Sequence, residues 1–295
     1  MENKHTTRLV KAIKGFKEGL KTYTTAPKGM FGRVAIIESN GVKLNSEELD
    51  FEFTVPFDDD IEANEAEIII YNLAKATRNA LKYNKKITIT AGYKGDTGVI
   101  FTGYISKVFT KTKGVDKVTT IKALDDMDLE EREITEITYK KGTKASYILK
   151  NLISKVPLPL AVFKVKRDHT YKDEEKVSGG LMENIRKYAE VCGISAYINK
   201  GKIYARHVSE GDDINFNVNA DTGLIGSPEE FEEEVTAEDY KDVVKGYKLE
   251  MILQHRMTTA VKVKLKSQNV SGTYRVRSGE HIFNPDEAIT KVEVI

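Results

Sequence analysis

Alternation of apolar and polar residues with a period of two dominates both ends of the chain. In residues 49–55, leucine, phenylalanine and valine alternate with acidic residues and threonine, and residues 87–91 repeat the pattern. The alternation returns in residues 261–266 and, more briefly, in residues 274–277. Strands buried on one face produce this pattern, which is typical of antiparallel rather than parallel sheets. Further strands are predicted at residues 33–39, 67–71, 99–108, 118–124, 245–253 and 290–295.

Apolar residues in the middle of the chain instead recur at helical spacing. An apolar stripe with a period of 3.6 covers residues 145–156, and Pro157 ends it. A second stripe covers residues 181–192 and is followed by Gly193, a typical helix C-cap. A hairpin with its turn at Asn199-Lys200-Gly201 is expected next.

In chain order these patterns predict a mainly β fold with an α+β insert, in which two antiparallel β-modules flank a small helix–strand–helix–hairpin module. With 295 residues, the chain is long enough for about two domains and a substantial core. The expected segments are a basic N-terminal extension (1–32), a first β-module (33–130), the α+β module (131–208), an acidic loop (209–242) and a second β-module (243–295).

The overall composition is that of a folded protein without a dominant charge. Hydrophobic residues make up 40% and charged residues 31%, and the net charge is +1. The basic excess of nucleic-acid-binding proteins is absent, so no nucleic-acid recognition is predicted. A single cysteine, Cys192, excludes an internal disulfide and a multi-cysteine zinc site. Neither a membrane span nor a signal peptide is visible, so we expect synthesis in the cytoplasm without general export.

Residues 1–33 are strongly basic, with eight Lys or Arg, two acids and apolar residues at helical spacing. Three interpretations of this amphipathic pattern stay open. They are a helix docked on its own fold or on a partner, a helix on a membrane surface, and a nucleic-acid-binding arm. The docked helix is favoured, since no aromatic-rich basic stripe supports the third interpretation.

Residues 210–242 have the opposite character, with twelve acids, one lysine and little periodicity. This composition predicts a long solvated loop or a flexible flap. A calcium site is the alternative, but the Asp-x-Asp-x-Asp-Gly ligand order is absent from the segment. We therefore predict no metal site here.

Motifs that carry catalysis are absent from the sequence. It has no Gly-Lys-Ser/Thr phosphate loop, no Gly-x-Ser-x-Gly elbow and no His-Glu-x-x-His motif. Cys192 lies on the apolar stripe of the second helix, where a packed thiol is expected. No catalytic residue or cofactor is predicted. The scattered histidines are expected to be surface or partly buried polar residues; they are His5, His169, His207, His255 and His281.

Two acidic clusters keep glycan cleavage open as an alternative, because that reaction needs only two carboxylates. Both clusters follow strands, where acids also end a strand and solvate a turn. Tryptophan, the commonest sugar-stacking side chain, is absent. The clusters are Asp58, Asp59, Asp60 and Glu62, and Asp125, Asp126 and Asp128.

The order of several short motifs carries a family resemblance from about Phe31 onward. In the first β-module they are residues 49–55, Ile68-Ile69-Ile70-Tyr71-Asn72-Leu73, residues 77–81, 87–93, 95–98 and 100–105. Later motifs are Gly142-Thr143-Lys144-Ala145, residues 181–192, 203–205, 222–228 and 270–276. In this order they resemble the baseplate hub proteins of contractile phage tails and tailocins, related to the late control protein D family.

The resemblance implies that each β-module is a tube-like antiparallel β-barrel and that the chain forms a homotrimer. Three copies would present six modules, which adapts a sixfold tail tube to a threefold spike. The implied partners are the chain itself, the central spike protein, the tail tube protein and other baseplate components. A structural, non-enzymatic protein is implied, made in the host cytoplasm and assembled into the baseplate. A tail-associated peptidoglycan hydrolase and a tail-tip receptor- or glycan-binding module are the alternatives.

The resemblance also marks two candidate interface segments. One is the strand-to-helix corner and the other is a glycine-rich hairpin, although turn chemistry alone explains both. The lysine face of residues 261–266 is expected to be solvated, with a lumen or a subunit contact as the alternative. The candidate interface residues are Tyr71, Asn72, Leu73, Gly92, Tyr93, Gly95, Asp96 and Gly98.

Overall fold

The computed structural model of the chain describes residues 32–125, 132–237 and 240–295, with side chains except at residues 234–243. Within these ranges the chain forms eighteen β-strands, three α-helices and one 3-10 helix, numbered below in chain order. The predicted basic extension lies outside the described residues except for Gly32. Asp126 and Asp128 of the second acidic cluster also lie outside them.

The first β-module is built as the alternating pattern predicts. In β3, Phe51, Phe53 and Val55 are buried and the residues between them are not. The turn between β1 and β2 places Asn40 and Gly41 at positive φ, the conformation of a tight hairpin turn. The elements are β1 (Arg33–Ser39), β2 (Val42–Asn45), β3 (Phe51–Phe57), β4 (Glu65–Tyr71), α1 (Lys75–Ala80), β5 (Lys86–Tyr93), β6 (Asp96–Lys113) and β7 (Asp116–Leu124).

The α+β module contains both predicted helices and the predicted hairpin. Gly193 follows the second helix at positive φ, as a C-cap glycine does. The hairpin turn places Lys200 and Gly201 at positive φ. The elements are β8 (Glu133–Tyr139), α2 (Ala145–Ile153), β9 (Leu160–Phe163), β10 (Glu175–Gly180), α3 (Leu181–Val191), β11 (Ser195–Asn199) and β12 (Lys202–Arg206).

The second β-module begins earlier than the sequence patterns suggest. The prediction of a loop or flap over the acidic segment is wrong, because the segment contains all of β13 and β14 and the start of β15. Pairing with β16 and β15 supplies the backbone hydrogen bonds that the acidic composition does not predict. The elements are β13 (Asp212–Val218), a 3-10 helix (Ala220–Thr222), β14 (Leu224–Ala237), β15 (Tyr240–Ile252), β16 (Val261–Lys266), β17 (Ser271–Phe283) and β18 (Ala288–Val294).

A single thirteen-stranded sheet runs through both β-modules. Its order is β14-β15-β18-β17-β3-β4-β7-β6-β5-β1-β2, and β16 pairs with β17 and β13 beside this path. The antiparallel pair β3–β17 joins the modules, with Val55 opposite His281. Most pairs are antiparallel as predicted, but β9–β12 and β13–β16 are parallel. Both exceptions link segments that are distant in sequence.

Three hydrophobic clusters form the core of the described residues. One fills the first β-module and includes Phe283 and Ala288 from the second. Another packs α2 and α3 against β11 and β12 and takes in Ile61 from the first module. The third fills the second β-module and includes Phe57 of β3. Each cluster also includes at least one side chain from a neighbouring module. The mainly β fold with an α+β insert is confirmed.

Candidate functional site: the module junction and the free sheet edges

The segment between β15 and β16, residues 253–260, contacts all three modules, and we call it the junction loop. Arg256 donates hydrogen bonds to both Asp96 carboxylate oxygens at 2.6 and 2.8 Å, and His255 Nε2 lies 3.0 Å from Asp96 Oδ1. The bonds from Arg256 and then His255 hold the pKa of Asp96 at about 2. A Cβ at Gly98 would lie 2.1 Å from His255 Nδ1. The β5–β6 hairpin is therefore docked closely on the second module.

The junction loop also contacts the hairpin of the α+β module. Thr258 donates its hydroxyl hydrogen to Asn199 Oδ1 at 2.8 Å, and Lys200 Nζ lies 3.4 Å from the carbonyl oxygen of His255. Burial lowers the pKa of Lys200 to about 8. Thr259 donates to the carbonyl oxygen of Asp58 at 2.8 Å, which adds a second contact with the first module. One loop thus ties the three modules together.

A buried histidine lies under this loop, so the expectation of surface or partly buried histidines is wrong for His281. Its side chain is fully buried, with Nδ1 at 2.9 Å from Thr290 Oγ1 and Nε2 at 3.1 Å from the Met257 carbonyl oxygen. The carbonyl fixes the tautomer, because Nε2 must donate to it and Nδ1 then accepts from Thr290. Burial lowers the pKa of His281 to about 3. A neutral imidazole therefore holds the junction loop to β17 and β18.

Two buried arginines reinforce the junction. Arg275 of β17 donates to Asp59 at 2.7 Å and to the Glu210 carbonyl oxygen at 3.0 Å. Arg206 of β12 binds both carboxylate oxygens of Asp212 at 2.8 and 2.9 Å, which lowers the pKa of Asp212. Each arginine side chain is only 4% exposed. Removing Asp59 or Asp212 would leave its arginine as a buried, unpaired charge, so these contacts resist separation of the modules.

The acidic clusters proposed for the hydrolase alternative are held in structural contacts where they are described. Asp59 pairs with Arg275, and a single arginine of α3, Arg186, binds Asp60 and Glu62 at 3.4 and 2.8 Å. Burial raises the pKa of Asp58. In the second cluster, Asp125 is buried and accepts the backbone N–H of Asn64 at 2.9 Å.

The strand-to-helix corner is held by its own chain. Asn72 has a φ of 53°, donates to Asp116 Oδ1 at 2.8 Å and accepts the Lys117 backbone N–H at 3.0 Å. Tyr71 donates to Glu52 Oε1 at 2.8 Å, a bond that raises the pKa of Tyr71. Leu73 is buried. These contacts within the chain are enough to explain the turn. The role of the corner as an interface stays a prediction.

The glycine-rich hairpin divides into residues that face the second module and residues that serve the turn. Asp96 and Gly98 meet the junction loop, and the hydroxyl of Tyr93 lies 3.4 Å from the carbonyl oxygen of Ala288. Gly92 has a φ of 150°, and a Cβ there would lie 2.3 Å from the Asp96 carbonyl oxygen. Gly95 has a φ of 88° and open space around it. This hairpin is an internal contact, and its role between subunits stays a prediction.

Comparison with known protein families assigns the chain. A family model described as baseplate hub gp41 matches residues 33–280, which is most of the sequence. The chain belongs to the baseplate hub gp41 family. The resemblance seen in the sequence is thereby confirmed, and so is a structural role as a hub of the phage tail baseplate. No curated protein matches the chain.

Solved structures with the same fold include tail proteins and a component of a secretion system. A tail protein from Neisseria meningitidis has a TM-score of 0.63 at 10% identity, covering 90% of this chain and 96% of that one. A 43 kDa tail protein of prophage MuSo2 from Shewanella oneidensis has a TM-score of 0.66 at 8% identity, covering 90% and 97%. A component of the E. coli type VI secretion system has a TM-score of 0.60 at 11% identity, covering 88% and 76%. At these identities the likeness establishes the fold.

Several strand edges are free among the described residues, and two of them carry many charged side chains. β14 is the terminal strand of the large sheet and pairs only with β15. The pairing of β5 with β6 stops at Tyr104, so the distal part of β6, residues 106–113, has β7 as its one strand partner in the described structure. Neither edge can be recognised in the sequence, because an edge depends on which distant strand is missing.

The described residues provide neither a cluster of metal-binding side chains nor a membrane-spanning helix. No group of three or more His, Cys, Asp or Glu side chains lies close enough there to hold a metal ion. No helix in the same part of the chain is long and apolar enough to cross a membrane.

The thiol of Cys192 is packed, as the sequence predicts, and burial raises its pKa to about 11. In β16, Val261, Val263 and Leu265 are buried while Lys264 and Lys266 face solvent.

Proposed function

We propose that this hub adapts the sixfold tail tube to the threefold central spike of a contractile phage tail or phage-tail-like particle. Three copies form a ring, and each contributes its two β-modules, which gives six modules around a channel. The observation that carries the proposal is the fusion of two β-modules into one sheet through β3 and β17. Homo-oligomers usually have closed point-group symmetry, and a threefold ring is one such arrangement.

The junction supports this role because an adaptor must hold its two modules at a fixed angle. Junctions between domains usually resemble transient interfaces and permit motion unless they are large and apolar. Here the backbone ladder β3–β17, the Arg275–Asp59 pair and the ring contact between Phe57 and His281 all span the boundary. Loosely joined modules would let the ring lose its sixfold spacing under the load of tail contraction.

The proposed partners are a second and third copy of the chain, the tail tube protein on one side, the spike protein on the other and further baseplate components. The role is structural and uses no catalytic group. The carboxylates of Asp59, Asp60 and Glu62 are engaged by arginines within the chain, which supports a structural role for that cluster. The segmentation into extension, β-module, α+β module, acidic segment and second β-module belongs to the same proposal.

The test measures the mass of the purified chain by light scattering, alone and mixed with its tube and spike proteins. We expect three copies in the complex with the spike, and binding to tube protein that requires the trimer. A chain that stays monomeric in every mixture would refute the proposal. Zymography on bacterial cell walls tests the hydrolase alternative. Clearing of the cell walls that is lost in the double variant Asp58→Asn with Asp60→Asn would favour a hydrolase.

A further inference from the structure

The distal β6 edge and the β14 edge of the hub carry opposite charges. Residues 106–122, which span the distal part of β6 and most of β7, contain five lysines and one aspartate. The β14–β15 hairpin, residues 224–252, contains nine acids and three lysines. Six strands lie between β14 and β6 in the order of the sheet, so neither edge serves as the other's partner in the ladder of one chain.

The basic edge has a defined pattern on one face. Lys107, Phe109 and Lys111 alternate along β6 and therefore lie on the same side of the strand. Both ammonium groups approach the Phe109 ring, at 5.6 and 5.4 Å from its centroid. Among the described residues neither lysine forms a salt bridge with an acid. An aromatic side chain flanked by two such cations is thus presented beside an open backbone edge.

The acidic edge repeats this pattern with the charges reversed. Glu229, Phe231 and Glu233 alternate along β14 on one face, next to the unpaired edge of the sheet. Glu229 has no salt bridge to any described residue, while Glu233 pairs with Arg277. Lys248 lies 6.0 Å from the centroid of the Phe231 ring, so this face already accepts one lysine over its aromatic ring. The motif Glu-x-Phe-x-Glu is the counterpart of Lys-x-Phe-x-Lys.

We propose that the distal β6 edge of one copy pairs with the β14 edge of the next copy, with Phe109 against Phe231 and the lysines against the glutamates. Both motifs read the same in either direction, so parallel and antiparallel pairing give the same matches. Aromatic and opposite-charge pairs are favourable cross-strand neighbours, and the added strand completes both ladders. The occupant of each edge is a second copy of this chain, argued from the complementary charges.

This contact is head-to-tail, because each copy uses a different edge toward each neighbour. Head-to-tail contacts build rings when their rotation closes, and an unpaired edge left open is an aggregation hazard. The inference rests on the proposed ring and specifies which strands form it. It also gives the acidic segment a role, since β14 is the strand that receives the neighbour.

Charge reversal tests the contact in the full chain. One variant carries Lys107→Glu with Lys111→Glu, another Glu229→Lys with Glu233→Lys, and a third carries all four changes. Each two-residue reversal should weaken self-association about tenfold, and the four-residue variant should recover to within about threefold of the wild type. A matched control, Lys140→Glu with Lys141→Glu, changes the same charge on the exposed start of the α+β module and should associate normally.

Sedimentation velocity with and without the spike protein measures association, and circular dichroism verifies that each variant is folded. If the wild type assembles and the reversed variants assemble equally well, the pairing is overturned and the proposed function stands. Wild-type protein that stays monomeric would overturn the proposed function and the pairing with it. If the two-residue reversals abolish assembly and the four-residue variant does not restore it, the pairing is also contradicted.

Crosslinking supplies a geometric test that does not depend on charge. In a Cys192→Ser background, Phe109→Cys with Phe231→Cys should form disulfides between neighbours and give covalent trimers on non-reducing gels. The matched control replaces Phe109→Cys by Thr110→Cys, whose side chain lies on the other face of β6. Equal crosslinking of both variants, or of neither, would contradict the proposed register.

Discussion

A histidine buried at the module junction should make the fold less stable as the pH falls. His281 is fully buried, and burial lowers its pKa from the ordinary 6.5 to about 3. As the pH falls, the imidazole in the unfolded chain therefore binds a proton near pH 6.5, whereas in the folded chain it does so only at about pH 3. The stabilisation from the neutral imidazole is complete above pH 6.5 and is lost progressively as the pH falls toward 3.

The size of the effect follows from this window. For one proton, each pH unit is worth about 1.4 kcal/mol. Between pH 7 and pH 5 the wild type should lose about 2 kcal/mol of its free energy of unfolding through His281. The variant His281→Gln does not titrate and keeps an amide N–H that can donate to the Met257 carbonyl. Losing the contact with Thr290 should cost about 1–3 kcal/mol at pH 7.

Urea unfolding followed by far-ultraviolet circular dichroism at pH 7, 6 and 5 measures this loss. Groups that titrate in both proteins cancel in the difference between wild type and His281→Gln. That difference should shrink by about 2 kcal/mol from pH 7 to pH 5. The control His169→Gln replaces an exposed histidine and should follow the wild type. Parallel pH dependences of the wild type and His281→Gln would refute the assignment of a buried neutral imidazole.

Three further predictions concern the same junction and the packed thiol. Arg275→Leu leaves the Asp59 carboxylate, whose side chain is only 17% exposed, without its partner. It should lower the free energy of unfolding by about 3–5 kcal/mol in urea titrations, and a loss below about 1 kcal/mol would contradict the ion pair. Gly98→Ala places a Cβ against His255 and should cost about 1–3 kcal/mol in thermal unfolding, whereas an unchanged Tm would show that the hairpin is not docked. Cys192 should react with a thiol reagent at pH 8 about a hundredfold more slowly in folded than in unfolded protein, and equal rates would contradict its burial.

Local patterns predicted most of the regular structure because each strand or helix buries one face. The strands around Phe53 and Ile89 and the helices around Leu149 and Ile185 follow directly from the spacing of apolar residues. Strand β14 was not predicted from its local pattern. Its glutamates are unfavourable in a strand, and it is stabilised by pairing with β15 and by ion pairs such as Glu233 with Arg277.

The candidate site depended on contacts that no local pattern contains. Asp96 and His255 are 159 positions apart, and Asp59 and Arg275 are 216 positions apart, yet each pair is in direct contact. The sequence did single out the hairpin that holds Asp96, through its glycines. It could not distinguish a contact within the chain from a contact between copies, because the same turn chemistry serves both.

Electron cryomicroscopy of the assembled baseplate would show directly how the hub is arranged. We expect three copies of the chain around a channel, with their six β-modules in one ring below the tail tube. In that map, residues 106–113 of each copy should lie beside residues 229–233 of its neighbour. One copy per particle, or three copies whose second β-modules lie outside the ring, would contradict the role of this hub as the adaptor between tube and spike.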